Sequence, residues 1–278
     1  MRRILLPVIG AALIVSASAA SLAARPIPAT APIQATANGK WNVDYGDWNC
    51  VLRRDLISAG KPAAFSLTLE PLSSVAWMRI GLAGGGRRSD GDDAVMFIDG
   101  QRLPGTIHYN AFPSGQYRVR EFMLNTKQQD LSAIHDRVRF WAGKDGDVEA
   151  RLDNFQSAWT ALNQCMADFN KDLGITPADV AQVAKPPEGD AFSFVEFPSD
   201  PDTLDMALFF WVSADGKIEN CRLLKPSGIK PFDDSICKEL EAKGRFKPAQ
   251  NASGAPVRAP YFEHDVLRKE TMTTAVGN

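Results

Sequence analysis

The 278-residue sequence carries little net charge: 31 Lys and Arg against 33 Asp and Glu leave −2. Without a basic field, no nucleic-acid partner is expected. Histidine is scarce as well. His108, His135 and His264 stand far apart in sequence, and none belongs to a Cys/His cluster with metal-ligand spacing, so neither a metal nor another cofactor is expected. No G-x-S-x-G motif occurs and nothing local pairs a nucleophile with a base. No catalytic residue is therefore assigned, and the chain is not expected to be an enzyme. The glycine-rich run from Gly81 to Arg88 is followed by polar residues and then a strand pattern, not by the helix start that a phosphate loop needs. It reads as a hairpin. Asp90-Gly91-Asp92-Asp93 lacks the spacing and distal glutamate of an EF-hand, and it reads, like Asp145-Gly146-Asp147, as turn residues. There is no internal repeat and no long low-complexity tract.

What is present begins with a leader. Met1-Arg2-Arg3 is a positive start, residues 4–15 form an uncharged apolar run, and Ala17-Ser18-Ala19 fits the small-residue pattern of signal peptidase. Residues 1–19 are expected to be a signal peptide cleaved after Ala19, with Ala20 and Ala24 as neighbouring sites. The expected location is then the periplasm. If left uncleaved, the charge-free stretch 4–24 is about long enough to span a bilayer. The protein would then sit anchored in the inner membrane facing the periplasm, the one case in which a membrane contact is expected. In an oxidising compartment, an even number of cysteines reads as disulfides. Cys50, Cys165, Cys221 and Cys237 allow three pairings. Cys50–Cys165 with Cys221–Cys237 is the pairing that needs no interdomain link.

Residues 20–40, rich in Ala, Pro and Thr, read as a flexible lead-in. Residues 41–175 read as a mostly-β domain ending in a helix. Phe65, Leu67 and Leu69 alternate with Ser66, Thr68 and Glu70, and further strand-like runs cover 75–82, 94–98, 117–124 and 138–142. In residues 154–173, Phe155, Ala158, Trp159, Leu162, Cys165, Met166 and Phe169 recur at helical steps, with Gly174 at the C-cap position. Cys165 lies on that stripe. Residues 176–202 are the expected linker, centred on Lys185-Pro186-Pro187-Glu188-Gly189-Asp190.

The last third, 203–270, reads as strand (206–213), Asp215-Gly216 hairpin turn, strand (218–225), helix (232–242) and final strand (257–268), with 271–278 as a tail. Counting back from the turn, Phe210 opposes Cys221 and Leu208 opposes Leu223. Phe209 and Trp211 then point to the other face. That face is either covered by the rest of the chain or offered to a partner or a second copy.

These residues resemble the TonB C-terminal family. The resemblance is carried by Asp215-Gly216, Ser227-Gly228, Arg245-Phe246-Lys247-Pro248-Ala249 and Gly254-Ala255-Pro256-Val257, in that order. It implies a ββαβ module with a three-stranded antiparallel sheet. The whole is then an α+β, two-domain protein, with an N-terminal mostly-β domain followed by that module. The resemblance also implies protein binding, with an outer-membrane receptor adding a strand to the last strand of the sheet. On it, Tyr261, Glu263, His264, Asp265 and Leu267 would flank the partner. A structural envelope role without energy transduction, or a hydrolase in 41–175, are the rival expectations. Trp41-Asn42-Val43-Asp44-Tyr45, Cys50 and the Trp159, Leu162, Cys165 helix resemble, more loosely, a domain found upstream of such modules, and this implies no activity.

Overall fold

The computed structural model describes residues 31–126, 129–195 and 203–268. The expected signal peptide and the 271–278 tail lie outside them. From Ala31 onward the chain clusters as one compact unit.

The first half is a run of strands whose side chains alternate between a packed interior and an outer face. They are β1 (Ile33–Ala37), β2 (Asn42–Tyr45), β3 (Cys50–Ser58), β4 (Lys61–Leu69), β5 (Val75–Ala83), β6 (Ser89–Ile98), β7 (Gln101–Arg102), β8 (Ile107–Ser114), β9 (Tyr117–Asn125), β10 (Arg137–Trp141) and β11 (Asp147–Arg151). The order β1-β11-β10-β6-β8-β9-β5-β4-β3 returns to β1 through a β1–β3 pairing, so nine strands close into a barrel. Closure removes the unpaired edges that an open sheet would expose. Leu52, Phe65, Leu67, Met78, Ile80, Phe122 and Phe140 fill the interior, and the Phe122 and Phe140 rings stack at 3.8 Å.

β1 falls in the stretch expected to be a flexible lead-in. It pairs parallel with β11 (Ile33 opposite Val148) and antiparallel with β3 (Thr36 opposite Ile57). Residues 84–88 join β5 to β6, which are separated in the sheet by β9 and β8, so the glycine run is a crossover and not a hairpin. Asp90 to Asp93 lie in β6 at a register irregularity instead of a turn.

Helix α1 (Phe155–Asp172) follows. Its stripe of Phe155, Ala158, Leu162 and Cys165 is fully or almost fully buried in the barrel core. Cys165 reaches Cys50 on β3 as a disulfide, and Gly174 ends the helix at φ 75°. Short α2 (Pro177–Ala181) comes next, capped by Thr176.

Then come β12 (Thr203–Val212), β13 (Ile218–Lys225), α3 (Lys230–Lys243), β14 (Ala249–Gln250), β15 (Pro256–Val257) and β16 (Ala259–Arg268). The sheet order is β13-β12-β16, and α3 packs on one face through Phe232, Ile236 and Leu240. Cys221 on β13 is bridged to Cys237 on α3. Leu208 opposes Leu223 as expected, Phe209 opposes Arg222, and the register shifts before Trp211, which opposes Glu219. Asn220, at φ 53°, sits at the irregularity that absorbs the extra residue. Gly216 is required at its turn. A Cβ there would lie 2.1 Å from the Phe246 carbonyl oxygen, because the Phe246 N–H donates to Gly216 O at 2.8 Å.

The expected α+β, two-domain architecture with a TonB-like module is corrected. Strand makes up 48% and helix 20%, so the protein is mostly β and built around a closed barrel. The second face of the three-stranded sheet explains why it is not a separate domain. Phe209 and Trp211 lie there in one cluster with Leu173 and Ile175, which follow α1. The expected linker is also pinned down: Lys185 exchanges backbone hydrogen bonds with Gln250, and Glu188 with Lys247.

A cleft between the barrel wall and the sheet

Two carboxylate groups singled out in the sequence are consumed by arginines. Asp145 accepts from Arg118 Nη2 at 2.6 Å, Ser89 Oγ at 2.8 Å and Tyr109 Oη at 3.1 Å, and its carbonyl accepts from Arg120 Nε. Burial disfavours its charge, but the Arg118, Ser89 and Tyr109 hydrogen bonds outweigh that and hold its pKa below the ordinary value. Burial and the Asp145 charge push the Tyr109 phenol up to about 12. Asp147 pairs with Arg139 at 2.5 Å. These are structural ion pairs inside the barrel wall.

An opening lies outside the barrel. It is a cleft of about 1000 Å³ whose floor is the outer face of β3, β4, β5, β9 and β8, and whose wall is the three-stranded sheet. Cross-strand register sets the floor. One row runs Arg53, Ser66, Arg79, Glu121 and Asn110, and the next runs Asp55, Ala64, Gly81, Val119 and Phe112. Small side chains in the second row make the trough, and the Tyr117 ring lies over Gly81, 3.4 Å from where a Cβ would stand. Arg79 Nε donates to Glu121 Oε2 at 2.5 Å, and Arg53 pairs with Asp44 at 3.3 Å.

His264 of β16 stands where floor meets wall. Its Nδ1 lies 3.0 Å from Glu70 Oε1, just past the end of β4, and its Nε2 lies 3.1 Å from Asp205 Oδ1 on β12. Lys225 Nζ joins Asp205 at 2.6 Å, the Trp48 ring leans on His264 at 4.2 Å, and Lys225 Nζ lies 4.7 Å from the Trp48 ring centroid. Both ring nitrogens are committed to carboxylates, so the imidazole cannot accept a proton from a substrate. It is a clamp between barrel and sheet. Burial works against the imidazolium, but the Glu70 and Asp205 contacts outweigh burial and raise its pKa. Asp205 is held below its ordinary value: burial opposes its charge, and the contacts to Lys225 and His264 overcome it.

A raised histidine pKa contributes stability that is fully present below the unfolded pKa, about 6.5, and that is lost as pH rises through the folded value. The stability gap between wild type and His264→Asn, from urea unfolding, should therefore be larger at pH 6 than at pH 9. An equal gap at both pH values would mean that the clamp carries no charge.

The other residues expected on the partner-facing strand are placed as follows. Tyr261 faces α3's side of the sheet, with Phe210 at 5.0 Å and Phe246 at 4.9 Å, and burial followed by the Glu263 charge raises its pKa. Glu263 accepts from the Ala191 N–H at 3.4 Å. The side chains of Asp265 and Leu267 lie outside the described residues. Phe209 and Trp211 are 1% and 5% exposed, which corrects the reading of them as a partner surface. Sequence reasoning missed the floor of the cleft altogether. Trp77, Arg79 and Glu121 sit in ordinary strand patterns, and only the strand order brings them together.

Fold and site define a disulfide-linked β-barrel protein with a docked sheet and a charge-lined surface cleft. Compared with protein-family models, curated proteins and solved structures, the chain matches none. Two disulfides point to an oxidising, extracytoplasmic compartment. Among the described residues no helix is long and apolar enough to cross a membrane.

Proposed function

We propose that this is an exported periplasmic protein that binds a protein partner by accepting an extended strand along β16. The observation that carries the reading is the sheet order: among the described residues, the ten-residue β16 pairs with β12 alone. Pro260 sets the phase of the side that faces away from β12. Proline in a sheet is tolerated where its missing N–H would face away from the ladder. Counting from Pro260 along the unbroken register with β12, the N–H groups of Phe262 and His264 face outward, and those of Tyr261 and Glu263 face β12. An outward row of donors and acceptors is what strand addition uses. The motif order resembling the TonB C-terminal family points to a segment of an outer-membrane receptor as the partner. Binding is favoured over catalysis because the one histidine in the cleft has both nitrogens engaged.

In the purified full-length protein, NMR-detected exchange should be fast at the Phe262 and His264 amides and slow at Tyr261 and Glu263. In cells, a photo-crosslinking residue placed at Val266 should form an adduct with an envelope protein. Phe262→Pro should abolish that adduct, while Phe262→Ala, which keeps the N–H, should retain it. Uniformly slow exchange, no adduct, or an adduct indifferent to proline would each rule out strand addition here.

A further inference from the structure

We propose that the cleft floor is a binding site for a neutral glycan chain, a function distinct from strand addition at β16. Three features of β5 carry this. Along its outer face, at every second residue, stand Trp77, Arg79 and Gly81, the last roofed by the Tyr117 ring. At a strand rise of about 3.3 Å per residue, the two aromatic platforms are centred roughly 13 Å apart, with the Arg79–Glu121 pair midway. Platform, polar pair, platform in one line fits a chain of pyranose rings. The apolar faces of outer rings stack on indole and phenol, and the hydroxyls of a middle ring meet the ion pair.

The polar atoms are available for it. Among the described residues Arg79, which lines the cleft, is hydrogen-bonded through Nε alone, to Glu121, so its terminal nitrogens keep their donors for a ligand. Its side chain is 41% exposed, whereas Glu121, at 13%, is held in place. An arginine donor fork beside a carboxylate acceptor suits vicinal hydroxyls, each of which both donates and accepts. Trp77 is half-buried and makes no ring–ring contact or hydrogen bond with the described residues, so its face and indole N–H are unused.

Charge decides the class of glycan. Five carboxylates line the cleft against five arginine or lysine side chains and His264, so at most one positive charge is left over. Ion pairs occupy most of them: Arg53 with Asp44, Arg79 with Glu121, Lys225 with Asp205, and His264 with Glu70. A polyanion or polycation would have to break these pairs and would gain little net attraction. A neutral polyhydroxyl chain leaves them intact.

Isothermal titration of the full-length protein with chitotetraose and cellotetraose tests this, with a sulfated oligosaccharide and a neutral tetrapeptide alongside. Saturable binding of at least one neutral tetrasaccharide is expected, at least tenfold tighter than either control. Trp77→Ala and Arg79→Gln should each weaken it by tenfold or more, and His108→Ala, outside the cleft, should leave it unchanged. Trp77→Phe keeps a platform without the N–H, so partial retention guards against a folding defect in Trp77→Ala. No saturable binding of either neutral probe, preference for either control, or binding unaltered in Arg79→Gln overturns the proposal. None of these outcomes bears on β16, whose test reads strand exchange and crosslinking.

Discussion

Replacing Cys50 and Cys165 together with alanine should lower unfolding free energy by about 4–5 kcal/mol, the value for cross-linking a loop of roughly 100 residues in the chain-entropy model. The bridge spans 115 residues and joins the start of β3 to α1, and both cysteines are fully buried. In a protein of this size that corresponds to a fall in melting temperature on the order of 10 °C. The pair Cys221–Cys237 closes only 16 residues, so its removal should cost less, about 3 kcal/mol. Urea unfolding of both double variants under non-reducing conditions checks the size and the order. A loss below about 1 kcal/mol for the long bridge would show that α1 is held to the barrel by packing alone.

Phe209→Ala should cost about 3–5 kcal/mol. The ring is 1% exposed, meets Trp211 edge-on at 6.2 Å, and shares a cluster with Leu173, Ile175 and Phe169. This loss would fall on the seam between sheet and barrel unit. Tryptophan emission and far-UV dichroism should therefore report one transition moved to lower urea, since this face of the sheet is buried against the residues that follow α1. A cost under about 0.5 kcal/mol would mean that Phe209 faces solvent, as it would on a free module.

Local elements were readable because their signals are local. Periodicity over four turns marked α1, Asp215-Gly216 marked the hairpin, and the apolar face of 232–242 marked α3. Disulfide pairing was readable because both pairs fall within segments that the pattern already separated. β1 escaped notice for a physical reason. Ile33-Gln34-Ala35-Thr36-Ala37 buries only Ala35, so it carries no hydrophobic alternation, and its partners β11 and β3 are supplied by the barrel. The crossover at residues 84–88 reads as a hairpin in the sequence because glycine marks a reversal of direction without stating which strand comes next.

The sequence alone determined a charge-neutral chain with a leader pattern, four cysteines in two local contexts, one amphipathic helix and a β-hairpin followed by helix and strand. Each depends on residues within a few turns or strands of one another. Only the tertiary structure decided that nine strands close on themselves, that Leu173 and Ile175 cover Phe209 and Trp211, and that Trp77, Arg79 and Glu121 share a floor facing His264. Those are decisions about which surfaces find each other across long stretches of chain. Side-chain alternation says that a strand has two faces, but the partner of each face is set by where the remaining apolar area can be buried.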